Sequence, residues 1–332
     1  MVRRLVFVVI ALAALATSCG DADPGSITIY SGRSEALVAP LIEQFEAATG
    51  IKAEVRYGDS AELAATILEE GTNSPADVFF AQDPASLGAV ALGGYFQQLD
   101  SDLLGAVDAA FSDDQGKWVG ISGRARVVVY DSELIDPASL PSTEDAFALS
   151  EWQGRVAVAP TNGSFLAFVA AKILIDGEEP TLAWLQGMKA NGAPTYPSNS
   201  VIVAAVDDGE VDAGLVNHYY LFRRRDEVGE TVAENHFLTG GGAGSLVMPS
   251  GAGILASSDS STDASAFVEF LLGEQAQTYF ANETFEYPLA GTVQANDALP
   301  ALSSLNPPQI RLSQLAEVLD RATDLVAEAG LL

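Results

Sequence analysis

Two adjacent tyrosines, Tyr219 and Tyr220, follow an apolar run and precede three arginines in the segment GLVNHYYLFRRR. The segment predicts a strand over residues 213–216, a polar break, and a helix that begins at the tyrosines. Neighbouring side chains on a helix lie about 100° apart and can converge near its end, where the dipole favours negative charge. Two phenols that become phenolates there would suit a hard, highly charged cation. The structural alternative is a pair of half-buried rings that wedge a loop against the core.

A second candidate site lies where another predicted strand ends and a helix begins, at Asn162, Gly163 and Ser164. Backbone N–H groups at a helix start attract anions, and glycine lets an anion approach the backbone closely. Arg33, in the turn after the first strand, and Arg124, at a predicted crossover, could each form paired hydrogen bonds to carbonate or phosphate. The alternatives are a plain turn with a helix cap, and partly exposed ion pairs between the arginines and acidic residues.

The N-terminal segment MVRRLVFVVIALAALATSC has the plan of an export signal, with two arginines, a short apolar run and small residues before a cysteine. We predict a signal peptide over residues 1–18, lipidation of Cys19, and a polar tether over residues 19–26. An exported protein with one inert thiol is the alternative. Because Cys19 is the only cysteine, the chain has no intramolecular disulfide. The expected location is the outer face of the cytoplasmic membrane or the periplasm.

The composition excludes some functions. A formal net charge of −29 over 332 residues repels nucleic acid and anionic lipid, so we expect no nucleic-acid binding and membrane contact only through the lipid anchor. The two histidines have no motif-level partner for nucleophilic catalysis, so we predict that the chain is not an enzyme. His218, in the turn before the tyrosines, is assigned a structural role.

Strands alternate with short helices along the remaining chain of about 310 residues, which is more than one hydrophobic core normally serves. Gly50 is expected to end the first helix, Ser60 to cap the second, and a strand to cover residues 77–80. Strands predicted near residues 123–134 and 244–256 are expected to cross between two lobes. We therefore predict an α/β clamp of two lobes, each a mainly parallel sheet flanked by helices. The first lobe covers residues 27–122 and 249–300, the second covers 123–248, and C-terminal helices over 301–332 pack on the second lobe.

Several motifs occur together in a known order. They are ITIYSGRSE, SPADVFFAQD, SGRARVVVYD, NGSF, NSVIVAAVDDGEVDAGLVNHYY and GAGIL. In this order the chain resembles the ferric-ion-binding proteins of ABC iron importers, from about residue 27 to residue 332. The resemblance implies a class II periplasmic-binding-protein clamp, a monomer, that captures Fe³⁺ with a synergistic anion and delivers it to an importer permease.

The resemblance also assigns residues. It carries the iron ligands onto Tyr219 and Tyr220, and it carries the site for a carbonate or phosphate anion onto the loop at residues 162–164 and onto Asn199. Some relatives hold the metal with a histidine after the first strand and a glutamate after the ADVFF strand, and here those places hold Ser34 and Gln82. We take Gln82 as a candidate metal contact and Ser34 as a candidate anion contact. Other relatives have a third tyrosine where this chain has Asn162.

The sequence is also compatible with a second function. Arg33, Arg124 and the loop at residues 162–164 would also suit a binding protein of the same fold for a small organic or phosphorus-containing anion. The adjacent tyrosines favour iron, because one anion rarely needs two phenols.

Overall fold

The computed structural model describes residues 25–332, so the predicted signal peptide and Cys19 lie outside the described residues. The first lobe and the crossover into the second contain these elements: β1 Ser26–Ser31, α1 Glu35–Thr49, β2 Lys52–Tyr57, α2 Ser60–Glu70, β3 Val78–Ala81, α3 Pro84–Leu92, α4 Ser101–Leu104 and β4 Val119–Asp131. The second lobe continues with β5 Val156–Ala157, α5 Gly163–Asp176, α6 Glu178–Ala190, α7 Asn199–Asp207, β6 Ala213–Asn217, α8 Tyr219–Val228 and β7 Ala233–His236. The return comprises β8 Val247–Ile254, α9 Ser261–Leu272, α10 Glu274–Asn282, β9 Tyr287–Pro288 and α11 Leu319–Glu328.

The strands form one hydrogen-bonded path in the order β2-β1-β3-β8-β4-β6-β5, with β7 and β9 also paired to β4. Strands joined through helices run parallel, as β1 does with β2 and β3, and β5 does with β6. The 13-residue strand β4 runs antiparallel to its neighbours and is buried throughout. Its first half pairs with β8 and β9, and its second half pairs with β6 and β7. Strands β4 and β8 are therefore the two crossovers, and the predicted two-lobe α/β clamp is confirmed.

Most local predictions hold to within a residue or two, but the crossover strands predicted near residues 123–134 and 244–256 are Val119–Asp131 and Val247–Ile254, and one predicted cap is wrong. The strand predicted over residues 77–80 is β3, the strand predicted over 213–216 is β6, and α8 begins at Tyr219 as predicted. Ser60 is not the N-cap of α2, because Asp59 takes that position and its carboxylate accepts the Ala61 N–H at 2.9 Å. The Ser60 hydroxyl instead accepts the backbone N–H of Gln82 at 2.9 Å, which ties the start of α2 to the end of β3.

The C-terminal part of the chain contacts both lobes. A 3-10 segment, Leu312–Val318, packs on α3, and α11 packs on α5 and α6. The sequence predicts packing on the second lobe, and the contact with α3 lies outside that expectation. Within residues 25–332, every helix is too short or too polar to cross a membrane.

A buried lysine holds part of the second lobe together. The ammonium group of Lys172, on α5, lies 3.1 Å from Glu144, 2.6 Å from Asp145 and 2.8 Å from Asp176. Glu144 is also buried, and it accepts the backbone N–H groups of Ala243 and Gly244. Burial disfavours the lysine charge, but the carboxylates more than offset this and raise the pKa of Lys172. The ammonium group thus occupies the position between the three acids.

Candidate metal centre

The two tyrosines lie at the first two positions of α8, directly after β6 and His218. Tyr219 is buried and Tyr220 is half-buried. Their ring centroids are 4.2 Å apart and the ring planes differ by 28°, so the rings stack. Adjacent side chains at this helix start thus converge, as the geometry of a helix end allows.

The buried position controls the protonation of Tyr219. Burial raises its pKa well above the ordinary value of 10.0, and the neighbouring phenol of Tyr220 raises it further, against the opposing charges of Arg124 and Arg33. The phenol is therefore neutral at neutral pH on its own. A trivalent cation reverses this preference, because the ion becomes the largest local charge and removes the proton from the ligand that it touches.

His218 is locked by hydrogen bonds on both ring nitrogens. Its Nδ1 accepts the Ala125 backbone N–H at 3.1 Å, so Nε2 carries the proton and donates to the Phe285 carbonyl at 2.6 Å. Burial lowers the pKa of His218 to about 4, so the ring is neutral at neutral pH. Both ring nitrogens are thus engaged by the backbone, and the structural role assigned to His218 from the sequence agrees with these contacts.

Three arginines are buried beside the tyrosines, and each is at most 1% exposed: Arg33, Arg124 and Arg126. Arg33 forms a buried ion pair with Glu286, while Arg124 reaches only the Pro249 carbonyl, at 3.4 Å. The exposed ion pairs considered for Arg33 and Arg124 are wrong, because both side chains are inside the protein. Two nitrogens of each guanidinium group have no hydrogen-bond partner within residues 25–332. Buried donors of this kind call for an acceptor, and an oxyanion supplies several at once.

Arg126 connects the arginines to the loop at residues 162–164, which is the predicted anion site and is called the anion loop below. Its Nη1 donates to the Ser164 hydroxyl and to the Asn217 amide oxygen, both at 3.2 Å. Burial lowers the pKa of Arg126 to about 9, and nearby Tyr220 opposes this shift, so the group stays cationic at neutral pH. The sequence analysis missed Arg126, although a signal exists: Arg126 stands two residues after Arg124 on β4, and such residues share one face of a strand.

The anion loop caps α5 in a closed hydrogen-bond network. The amide oxygen of Asn162 accepts the Ser164 N–H at 3.1 Å, the Ser164 hydroxyl at 2.6 Å and the Asn199 side-chain amide at 3.2 Å. The Ser164 oxygen also accepts from Asn199, at 3.0 Å. The hydroxyl proton of Ser164 therefore points to Asn162, and the network leaves Ser164 as an acceptor for Arg126. A Cβ built on Gly163 would meet nothing within 4 Å, so the loop is open at that residue.

The remaining predicted residues, Gln82 and Ser34, lie in different environments. Gln82 and Arg124 line a cavity of about 100 Å³ together with the loop residues 162–164. Ser34 is exposed at the N-cap of α1 and makes no capping hydrogen bond with its side chain. The structure thus gathers Gln82 with the anion loop and leaves Ser34 outside the buried cluster.

Glu286 is the other residue of this region that the sequence analysis missed. It is fully buried, pairs with Arg33 and accepts a hydrogen bond from the Ser122 hydroxyl. Burial alone would lower the pKa of Arg33, but the charge and hydrogen bond of Glu286, together with the two nearby tyrosines, more than offset this, so the pKa of Arg33 is raised. No local pattern in the segment FEYPL marks this glutamate, since its partner is 253 residues away.

Comparison with known proteins places this geometry in context. The family described as bacterial extracellular solute-binding protein matches residues 40–305. The Fe(3+)-binding periplasmic protein of Serratia marcescens is 35% identical over 322 residues, which cover 96% of this chain and 94% of that protein. The iron-bound HitA structure from Pseudomonas aeruginosa superposes with a TM-score of 0.87 at 34% identity, covering 92% of this chain and 100% of HitA. A Trichodesmium structure (IdiA, FutA) with iron and citrate ligands superposes with a TM-score of 0.82 at 28% identity. The match covers 92% of this chain and 99% of the Trichodesmium chain.

The locked imidazole leads to a pH prediction for the iron-free protein. In the unfolded chain a histidine titrates near pH 6.5, whereas His218 in the folded protein titrates near pH 4. Between these values the unfolded chain binds a proton that the folded protein does not, so the free energy of unfolding falls as pH falls from 6.5 to 4. The loss from this group approaches about 3 kcal/mol.

Urea unfolding at several pH values between 7 and 4 measures this loss. His218→Gln should flatten the pH dependence relative to the wild type, and the control His236→Gln should retain it. Equal slopes in His218→Gln and wild type would contradict the prediction.

Proposed function

Because the chain belongs to the family of bacterial extracellular solute-binding proteins, we propose that it captures ferric iron outside the cytoplasm, together with an oxyanion. The observation that carries the proposal is the stacked pair Tyr219–Tyr220 at the start of α8, beside three buried guanidinium groups. The names of the similar proteins from Serratia marcescens and Pseudomonas aeruginosa, which refer to Fe(3+) or iron, support the same ligand.

Two phenolates are suitable donors for Fe³⁺. Hard anionic oxygen ligands match a hard cation, and the described chain offers no thiolate as a competing soft ligand. Deprotonation of both phenols leaves one positive charge on the metal and open coordination positions. Gln82, at the cavity edge, is a candidate neutral contact from the first lobe.

The anion completes the charge balance in this proposal. Carbonate, phosphate or a small carboxylate would bind the metal and accept hydrogen bonds from the unpartnered nitrogens of Arg33, Arg124 and Arg126. Asn199 and the loop at residues 162–164 would orient it, and Ser34 would contact it only after a movement of the α1 start. The citrate in the Trichodesmium complex supports a carboxylate as one candidate class.

The clamp would work as a carrier and not as an enzyme. The first lobe, residues 27–122 and 249–300, would close on the second lobe, residues 123–248, through the two crossover strands, with the C-terminal helices of residues 301–332 packed on the second lobe. A monomer anchored by a lipid on Cys19 would then pass iron to the permease of an ABC importer. Closure of two lobes around a ligand is the usual mode of such clamps.

A second candidate function rests on the guanidinium cluster alone. Three buried arginines with unpartnered donors would also suit a carrier for a small organic or phosphorus-containing anion without metal. The tyrosine pair separates the two functions, because only the iron carrier needs phenolates.

We predict a visible phenolate-to-iron charge-transfer band that depends on both tyrosines. Tyr219→Phe and Tyr220→Phe each keep the ring and remove one anionic donor, so each should bleach or shift the band. The affinity should fall by more than the roughly 10- to 100-fold that loss of an outer-sphere partner costs. Spectrophotometric titration with Fe³⁺ measures both effects.

Tyr95→Phe, at a tyrosine beside Gly71 in the first lobe, is the control and should bind as wild type does. Undiminished colour and affinity in both single variants would exclude the iron function and leave the anion carrier.

Iron retention should also depend on an added anion. In buffer free of carbonate and phosphate, Fe³⁺ affinity should fall and the band should shift, and titration with each anion should restore them. Arg126→Gln removes a charged donor and should raise the anion concentration for half-restoration roughly tenfold. Arg311→Gln, at an exposed arginine, is the control. The same affinity and spectrum with and without anions would show that water or side chains fill these positions.

The anchor is tested separately. Mature protein isolated from membranes should begin at a lipid-modified Cys19, as detected by mass spectrometry. Cys19→Ser should either release the protein into the soluble exported fraction or leave the signal peptide uncut. An unmodified Cys19 in the mature protein refutes the lipid anchor.

A further inference from the structure

Glu286 is a buried carboxylate whose charge the proposed ligand chemistry does not use. It is fully buried, and it accepts hydrogen bonds from the guanidinium group of Arg33 and from the hydroxyl of Ser122. A carboxylate in this position is stable only when it is paired, because leaving water costs several kcal/mol per ion. The guanidinium group of Arg33 is the ion-pair partner that offsets this cost for Glu286.

The position of this carboxylate is held from several directions. The Ser122 hydroxyl, on β4, lies 2.7 Å from the Ser250 hydroxyl on β8, so Glu286 is tied to both crossover strands. The preceding residue, Phe285, accepts a hydrogen bond from His218 and stacks on Phe222 of α8 at 4.2 Å. A charge fixed in this way cannot turn away when a ligand enters the cleft.

Glu286 engages only one part of the arginine cluster. It contacts Nη2 of Arg33, while Nε and Nη1 of Arg33 have no partner in the described part of the chain. Arg124 and Arg126 have no carboxylate within ion-pair distance among residues 25–332. The carboxylate thus cancels about one of three buried positive charges and leaves the donors free.

We propose that Glu286 is the internal counter-anion of the cleft and sets how tightly the cleft holds its external anion. The inference rests on the proposed function only in that this anion accompanies ferric iron. By repelling the external anion, the carboxylate keeps its affinity low enough for release. Glu286 is a positioning and affinity-determining residue, since it acts through Arg33 and through its charge.

The phosphate affinity of Glu286→Gln separates this proposal from a merely structural role of Glu286, because the two roles predict opposite changes. Glu286→Gln keeps the size and hydrogen-bonding capacity of the side chain and adds one net positive charge to the cleft. Even at about 10 Å, one unit charge at an effective dielectric constant near 20 changes an affinity by roughly tenfold. The Kd for inorganic phosphate should therefore fall about tenfold. If Glu286 only orients Arg33, the same variant should bind phosphate more weakly.

The experiment is isothermal titration of the iron-free protein with inorganic phosphate. Glu286→Asp keeps the charge and should stay within about threefold of the wild-type Kd. Glu144→Gln is the matched control, because Glu144 is also a buried, ion-paired glutamate but belongs to the Lys172 network. It should alter stability without altering the Kd. An unchanged or raised Kd in Glu286→Gln, or no phosphate binding to either protein, overturns the proposal.

Poor folding of Glu286→Gln leaves the proposal testable. At one phosphate concentration, tighter binding stabilises a folded protein more, so phosphate should raise the unfolding midpoint of this variant more than that of the wild type. An equal or smaller shift overturns the proposal. Addition of Fe³⁺ afterwards tests the proposed function separately: absence of a band in every variant rejects iron capture, whereas the phosphate titration still decides the role of Glu286.

Discussion

Burial of three guanidinium groups beside the tyrosine pair is the constraint on which the rest of the site depends. Arg33, Arg124 and Arg126 are removed from water, and among residues 25–332 only Arg33 has a carboxylate partner. Buried charge is tolerated when it is paired and hydrogen-bonded. The positive charge of these groups favours the phenolate form of Tyr219 and opposes the effect of its burial. A phenolate at Tyr219 in turn favours the charged forms of Arg33 and Arg124.

The crossover strand β4 positions both parts of this site. Arg124 and Arg126 alternate with apolar residues on β4, and Arg126 lies opposite Asn217 in the antiparallel register with β6. Because Asn217 ends β6 and α8 begins two residues later, this register also places the tyrosines. His218 fills the step between strand and helix, and its neutral ring joins the β4 backbone to Phe285. Arg124 and Arg126 thus stand on a strand that connects the lobes, and the tyrosines stand on the helix that follows its partner strand β6.

The same arrangement explains why the acidic protein has a basic cleft. The chain carries 45 acidic and 16 basic residues, and most of the acidic groups are at the surface, where water screens them. Inside the cleft the arginines outnumber Glu286, so the local field is set by a few buried groups and not by the net charge. An acidic surface and a group of buried positive charges are therefore compatible in one protein.

The sequence by itself determined the local structure: the alternation of strands and helices, the crossovers, the start of α8 at Tyr219 and the cap of α5 at Asn162. These features follow from side-chain periodicity and from capping residues a few positions apart. Even there, one cap differed: Asp59 caps α2, and Ser60 instead accepts the backbone N–H of Gln82. Tertiary structure alone decided that the arginines are buried, that His218 is neutral, and that Glu286 pairs with Arg33 across 253 residues. Desolvation and long-range pairing depend on what packs around a charge, and no local pattern in the chain records this.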